Sequence, residues 1–405
     1  MNSILAITYW SYNEPLVQSG ALPYLRIISE YLPENSKIFL FTLEKKSFKI
    51  SDENLKGIRK ELAEKRITLI SKDYNHFGIK AVINWILFLI QLTAFCLLNR
   101  IKFIHAFGTP AGAIGYVLSS ITGKKLIIDC LEPHAEAMVE SGNWSRKSSA
   151  FKILFLLEKM QIKKANAVLI HNEGMVSYIK EKYNINLTRY FIRTNFVNLN
   201  ILFPTPEKIN LLKSELAIKA NEIICIYTGK IGGIYLDNEL FAFIKIAEQY
   251  WENRFKMILL TDTDPVLLDK FILLNKIKSS SIISKFVPHS KVKDYLAISD
   301  FAICPVRPIP TKRFCSPIKT GEYWALGLPV VIPANIGDDS DIIENEKIGA
   351  VIPQLNKKEY LIAIQKIEIL IQPENALQLK KKIISIAHKY RNINDIRGIY
   401  KELYS

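Results

Sequence analysis

Two successive doubly wound α/β domains are what this sequence predicts, and three observations predict them. The chain has 405 residues, too many for one ordinary core and enough for two domains of about 200 residues each. Short β-rich runs alternate with helical stretches along its length, the order that makes a parallel sheet covered on both faces. The alternation breaks once, at FPTPEKINLLKS (203–214), where two prolines interrupt both periods. Two such domains imply a central cleft.

In the first half the strands read ILAITYW, KIFLFTL, ITLIS, FIHAF, KLIIDC, AVLIHN and YFIRTN. Between them helical periodicity covers 21–31, 53–66, 79–98, 110–121, 149–165 and 173–183. The second half restarts with EIICIYTG, FKMILLTD, SIISKFV, DFAICPV, PVVIP and GAVIP, followed by helices over 375–390 and 393–403. The predicted division is therefore 1–203, 204–388, and a terminal segment 389–405 that crosses back to the first domain. The N-terminus MNSILAITYW has no basic region before an apolar stretch and no cleavage site, so it reads as a first strand and not as a signal peptide.

Composition narrows the partners. The formal charge is +15, with 26 Lys+Arg against 16 Asp+Glu in residues 1–200 and 28 against 23 in the remainder. A basic face serves nucleic acid, anionic lipid or a phosphorylated ligand equally, or is a solvated surface. No zinc-finger spacing, RNP-type motif or basic–aromatic ladder accompanies it, so nucleic acid is not an expected partner. Cys96, Cys130, Cys225, Cys304 and Cys315 are odd in number, widely spaced and mostly set in apolar runs, which predicts free thiols in a reducing cytosol. The segment 81–98 carries 18 uncharged residues, yet it stands between two strands of one predicted sheet and cannot cross a bilayer there. It is read as a core helix or as one lying at a membrane interface.

The chemistry concentrates in 300–336, DFAICPVRPIPTKRFCSPIKTGEYWALGLPVVIPANI. Ser316 reads as an N-cap, Pro317 as the first helical position and Gly327 as the residue past the helix end. Lys319 puts a cation in the first helical turn, against the macrodipole, so an anion is expected beside it. A helix start at the C-terminal edge of a parallel sheet, with free N–H groups and a lysine, suits a diphosphate. Glu322, three residues on along the same face, suits the vicinal hydroxyls of a ribose. Phosphate and ribose together mean a nucleotide.

The run SPIKTGEYWALGLPVV resembles the donor-site signature of family-four retaining glycosyltransferases, whose fold is GT-B: two Rossmann-like doubly wound domains facing a central cleft. The resemblance implies that Glu322 binds the donor ribose and that Lys319, with the helix start at Ser316, Pro317 and Ile318 and the N–H groups that follow Pro317, meets the diphosphate. The family's second glutamate, eight residues earlier, is Phe314 here, so the sugar contact is unassigned. Weaker likeness covers most of the chain. In YTGKIGG, Lys230 stands where the family has a cation for the leaving diphosphate, with Gly232 and Gly233 on the donor side. The family's second cation, five positions on, is Tyr235, and Lys319 is expected to substitute for it. Gly20 resembles the family's glycine loop near the donor phosphates. Asp129, Glu132, His134 and Glu136 fall in the segment that faces sugar and acceptor, with His134 at the donor sugar or the reacting centre, and Asn195 resembles the hinge asparagine.

The expected function is transfer of a sugar from a UDP- or GDP-linked donor to a saccharide or lipid-linked acceptor in bacterial envelope or exopolysaccharide synthesis. The reaction is expected to retain anomeric configuration, without metal or cofactor. Lys230, Lys319 and His134 are the expected catalytic residues. The triplets Asp262–Asp264 and Asp339–Asp341 read as turn residues, not metal ligands. The basic helix FKILFLLEKMQIKK and segment 81–98 add an anionic membrane surface to the expected partners, with a cytoplasmic, peripheral location. A nucleotide-sugar 2-epimerase of similar fold and a non-catalytic nucleotide-sugar-binding relative are the alternative readings.

Overall fold

The computed structural model describes residues 3–48, 50–74, 79–130, 132–197, 199 and 203–404. The chain divides into two compact units, Met1–Arg193 with Asn394–Ser405, and Thr194–Ile393. Each is a parallel sheet wrapped by helices.

The first unit runs β1 (Ser3–Thr8), α1 (Pro15–Gln18), α2 (Leu22–Tyr31), β2 (Ile38–Glu44), α3 (Asp52–Glu64), β3 (Ile67–Asp73), α4 (Ile79–Leu98), β4 (Ile101–Phe107), α5 (Thr109–Thr122) and β5 (Lys125–Cys130). It continues with α6 (His134–Glu140), α7 (Ser149–Lys164), β6 (Ala167–Ile170), α8 (Glu173–Tyr183) and β7 (Tyr190–Ile192). The strand order is β3-β2-β1-β4-β5-β6-β7. β1 is central and buried along its whole length, which is why it reads as a continuous apolar run without alternation. The helix His134–Glu140 lies where no helical periodicity was predicted; the carboxylate that satisfies its first N–H groups comes from Glu158, distant in sequence.

The second unit runs α9 (Pro206–Glu215), β8 (Ile223–Thr228), α10 (Asn238–Trp251), β9 (Phe255–Leu260), α11 (Pro265–Leu274), β10 (Ile282–Lys285), α12 (His289–Ala297), β11 (Phe301–Ile303), α13 (Ile318–Ala325) and β12 (Val330–Pro333). It ends with α14 (Asp339–Glu346), β13 (Gly349–Ile352), α15 (Lys357–Leu370) and α16 (Pro373–Tyr390). The last helix, α17 (Ile393–Tyr404), belongs almost wholly to the first unit, where Tyr404 Oη meets His105 Nδ1 at 2.7 Å.

The sheet order is β10-β9-β8-β11-β12-β13. Because side chains alternate along a strand, each strand feeds two cores. Ile224 and Ile226 of β8 join Ala302, Val330 and Trp324 on one face. Cys225 and Tyr227 join Phe301, Val331 and Trp251 on the other. Caps fix the helix starts: the Thr205 hydroxyl accepts from Lys208 N–H and the Asn356 side chain from Glu359 N–H. Such caps are worth about 1 kcal/mol each.

Candidate functional site

In the six-stranded sheet the chain steps outward from β8 in one direction and from β11 in the other. Their shared edge is the point where connections diverge and leave a crevice at the strands' C-terminal ends. Phe301 and Ala302 pair there with Cys225 and Ile226. The loop leaving β8 carries Gly229, Lys230, Gly232 and Gly233, and the loop leaving β11 leads to Ser316, Pro317 and α13.

The two loops are stitched together. Leu236 N–H donates to Pro305 O at 2.7 Å and Arg307 N–H to Ile234 O at 2.9 Å, while Arg307 reaches Asp237 at 3.0 Å and Glu239 at 2.9 Å. Gly232 and Gly233 take φ values of +85° and +66°, left-handed conformations that suit glycine in this turn. The Tyr227 hydroxyl donates to the Lys230 carbonyl, leaving the Lys230 side chain exposed.

Across this turn, Lys319 Nζ donates to Tyr235 Oη at 2.8 Å and stands 4.3 Å from the Tyr235 ring centroid. Its stem passes over Gly229, where an added Cβ would lie 2.5 Å from Cε and 3.0 Å from Nζ. Buried α13 residues Thr320, Gly321, Tyr323 and Trp324 face the core, so Ile318, Lys319 and Glu322 form the half-buried outer face of the same turn. Glu322 lies 3.8 Å from His289 Nε2 at the start of α12. Burial raises the Glu322 pKa, with His289 and Lys319 opposing the rise. His289 had no signal in the sequence, being a lone histidine after a proline and 33 residues from its partner.

Ser316 is not the N-cap its position suggested. The helix begins at Ile318 with Pro317 at the cap and no side-chain cap bond. The Ser316 hydroxyl instead accepts from Asn195 N–H at 3.1 Å and Arg391 Nη1 at 2.9 Å, and its carbonyl accepts from Asn195 Nδ2 at 2.6 Å. Arg391, 2% exposed, also pairs with Asp339 and lies 5.4 Å from the Trp324 ring centroid. Gly321 lets Val197 and the Arg391 stem close on α13, since a Cβ there would meet them at 2.9 and 3.3 Å. Phe314 is 6% exposed, an apolar wall where the resembled signature has a carboxylate.

The remaining sequence-derived residues lie in the first unit. Gly20 sits in the turn between α1 and α2, where a Cβ would come within 2.5 Å of Leu16 O. Asp129, 1% exposed, is paired with Arg193 at 2.8 Å, whose guanidinium lies 4.0 Å from the Tyr24 ring centroid. Glu136 is buried against Arg146. Glu132 and His134 are half-buried where α6 begins, and His134 N–H donates to Glu158 Oε1 at 2.7 Å. Glu158 is held by Tyr183 Oη on its other oxygen, and burial lifts its pKa to about 7. His105, fully buried, is pushed down to about 3. Asp264 of the first acidic triplet caps α11, and Asp339 of the second is committed to Arg391. Cys96, Cys130, Cys225 and Cys304 are buried and Cys315 is partly buried, none of the five in a disulfide.

Known structures match the whole chain. HepE of Anabaena, solved in complex with UDP, superposes with a TM-score of 0.74 at 13% identity, covering 100% of this chain and 99% of that one. The fold is GT-B. Sucrose-phosphate synthase from Thermosynechococcus elongatus matches with a TM-score of 0.73 at 14% identity, over 100% and 98% of the two chains. A glycosyltransferase from Rickettsia africae gives 0.72 at 15% identity, over 100% and 97%. No protein-family model matches the sequence, and no curated protein does. The agreement with GT-B structures is thus one of fold: parallel sheets of seven and six strands, each with a switch point in its strand order.

Proposed function

We propose that this chain is a glycosyltransferase that takes a sugar from a nucleoside-diphosphate donor held at the β8–β11 switch point. The observation that carries the reading is Lys319, whose ammonium is brought by α13 onto Tyr235, beside the loop bearing Lys230. In the proposal the diphosphate lies beside Lys319 and the start of α13, within reach of the exposed Lys230. Glu322, with His289 next to it, is the proposed ribose contact, and the backbone from Pro317 to Ile318 with Gly232 and Gly233 completes the donor cradle.

In sugar transfer the C–O bond between the anomeric carbon and the β-phosphate breaks, and negative charge gathers on the departing phosphate oxygen. Cations and N–H groups already aimed at that point stabilise it more than they stabilise the intact donor. Lys230 and Lys319 fill this role in the proposal in place of a metal ion, and the resemblance to the family-four signature is what supports retained configuration. His134, presented at the start of α6, is the proposed contact of the sugar or reacting centre in the first unit, with Glu132 near it and Gly20 on the donor-phosphate side. Glu136 and Asp129, read from the sequence as sugar- or acceptor-side residues, are buried and paired with Arg146 and Arg193, so in the proposal they hold that segment in place and do not touch the sugar.

The acceptor in this reading is a saccharide or lipid-linked chain in envelope or exopolysaccharide synthesis, reached from the cytoplasmic face of a membrane. Among the described residues no helix is long and apolar enough to cross a membrane. HepE has also been solved with UDP-glucose, which makes UDP the first nucleotide to try. A thermal-shift screen over UDP, GDP, ADP and their sugars tests the donor: a ligand at 100 times its Kd raises stability by about 2.7 kcal/mol. Incubating the responding sugar nucleotide with and without acceptor then separates transfer from isomerisation. No response to any nucleotide would end the proposal.

A further inference from the structure

The first unit leaves an apolar face uncovered. The connections from β3 to β4, β4 to β5 and β5 to β6 all step in one direction across the sheet, and right-handed crossovers place α4, α5 and α7 on one side of it. α5 packs against both of the others. The inner side of α4 is used: Leu92 and Cys96 are buried, and Phe88 and Phe95 meet Phe41 and Phe39 of β2. Its outer side is also apolar, with Ile90 60%, Leu97 59% and Leu98 82% exposed.

Between α4 and α5 lies a groove of about 490 Å3 walled by Ile86, Ile90, Leu97, Ile121 and apolar neighbours. The Thr93 hydroxyl in its wall is turned back onto Leu89 O at 2.8 Å, so the groove offers almost nothing polar. Ile153 and Leu156 extend the exposed apolar surface onto α7. An apolar patch of this extent, walled by several helices, marks an interaction surface in a way that scattered single residues do not.

Along α4 and α5 the charge has one sign. From Asp73 to Asp129 the sequence contains no intervening Asp or Glu, but it has Lys80, Arg100, Lys102, Lys124 and Lys125. On α7 the acidic residue is Glu158, 2% exposed, whereas Lys152, Lys159 and Lys163 are exposed. Arg100, Lys124 and Lys163 all stand at the C-terminal ends of their helices. Apolar side chains on helices α4 and α5 that carry no Asp or Glu, fringed by cations at one end, match the layering of a bilayer whose headgroups are anionic.

We infer that the outer face of α4, α5 and α7 docks on an anionic lipid bilayer, with Ile90, Leu97, Leu98 and Ile121 entering the acyl boundary and the lysines of α7 meeting the headgroups. This deepens the acceptor side of the proposed reaction and rests on that reading for its purpose, not for its physical basis.

The test is co-flotation of the full chain with vesicles of phosphatidylcholine alone and of phosphatidylcholine mixed with phosphatidylglycerol. The mixed vesicles carry the protein at least tenfold better. Ile90→Glu with Leu97→Glu lowers that binding at least tenfold, and Lys159→Glu with Lys163→Glu or high salt lowers it severalfold. Circular-dichroism melts check that the variants fold; Leu98→Glu, at the most exposed position, asks the same question where the double variant does not. Calorimetric affinity for UDP is unchanged in all of them, so failure of vesicle binding and failure of the donor reading are separate results. Absence of flotation with either vesicle overturns the inference, as does undiminished flotation of the apolar variants. So does a wild-type oligomer that Ile90→Glu with Leu97→Glu dissolves, which would put a second copy of the chain on this face.

Discussion

Lys319 Nζ donates a hydrogen bond to Tyr235 Oη across 2.8 Å, joining the first turn of α13 to the loop that leaves β8. The position five residues after Lys230 supplies no charge of its own and instead holds the charge of Lys319. Lys319→Ala is expected to weaken nucleoside-diphosphate binding by about 1.5–3 kcal/mol, the range for a hydrogen bond to a charged group. Tyr235→Phe, which keeps the ring under the ammonium, is expected to cost less. Isothermal titration with UDP and GDP measures both. Equal affinities in wild type and Lys319→Ala would remove Lys319 from the donor site.

Gly229 is the clearance for that lysine. Its φ of +131° is unsuited to a residue with a side chain, and its added Cβ would overlap the Lys319 stem. Gly229→Ala is therefore expected to displace Lys319, lowering nucleotide affinity to the level of Lys319→Ala and stability by about 1–3 kcal/mol. The double variant should bind no worse than either single one, because both remove the same contact.

Arg391 supports α13 from behind, through Ser316 and Asp339. Both members of the Arg391–Asp339 pair are 2% exposed, and burial raises the Asp339 pKa against the pull of Arg391. Arg391→Met leaves that carboxylate without its cation, at an expected cost of about 3–5 kcal/mol. Urea unfolding measures it. Arg391→Met with Asp339→Leu should recover part of the loss, since it removes the uncompensated charge.

Glu158 makes stability depend on pH near neutrality. Its pKa rises from 4.5 to about 7 in the fold, so the folded state favours the protonated form. The contribution is fully present below pH 4.5 and is lost as pH rises through about 7, by roughly 3 kcal/mol in the limit of complete ionisation. Glu158→Gln keeps an acceptor for His134 and Ala135 N–H and should flatten this part of the stability–pH curve. Thermal melts from acid to mildly alkaline pH, compared between the two proteins, check it. Parallel curves would show that Glu158 does not titrate in this range.

The succession of strands along the chain was legible wherever apolar runs were bounded by turns, because a buried parallel strand needs little beyond β-branched and aromatic residues in sequence. Glu173–Tyr183 emerged with the bounds its periodicity predicted. The helix His134–Glu140 did not, because it is short and its first N–H groups are satisfied by Glu158, 24 residues away. In the candidate site, Lys319 and Glu322 were legible from helical spacing within one segment. Tyr235, His289 and Arg391 were not, since each matters through a contact 84, 33 or 75 residues distant.

The sequence by itself determined the alternation of strands and helices, the composition of both faces of each sheet, and the clustering of cation and carboxylate on one helical turn, all consequences of local spacing. Tertiary structure decided what those groups meet. It set Lys319 on Tyr235, drew Ser316 away from capping toward Asn195 and Arg391, and paired Asp129 with Arg193. The physical reason is that hydrogen bonds and ion pairs act over about 3 Å, and only the folded sheet brings residues far apart in the chain within that reach.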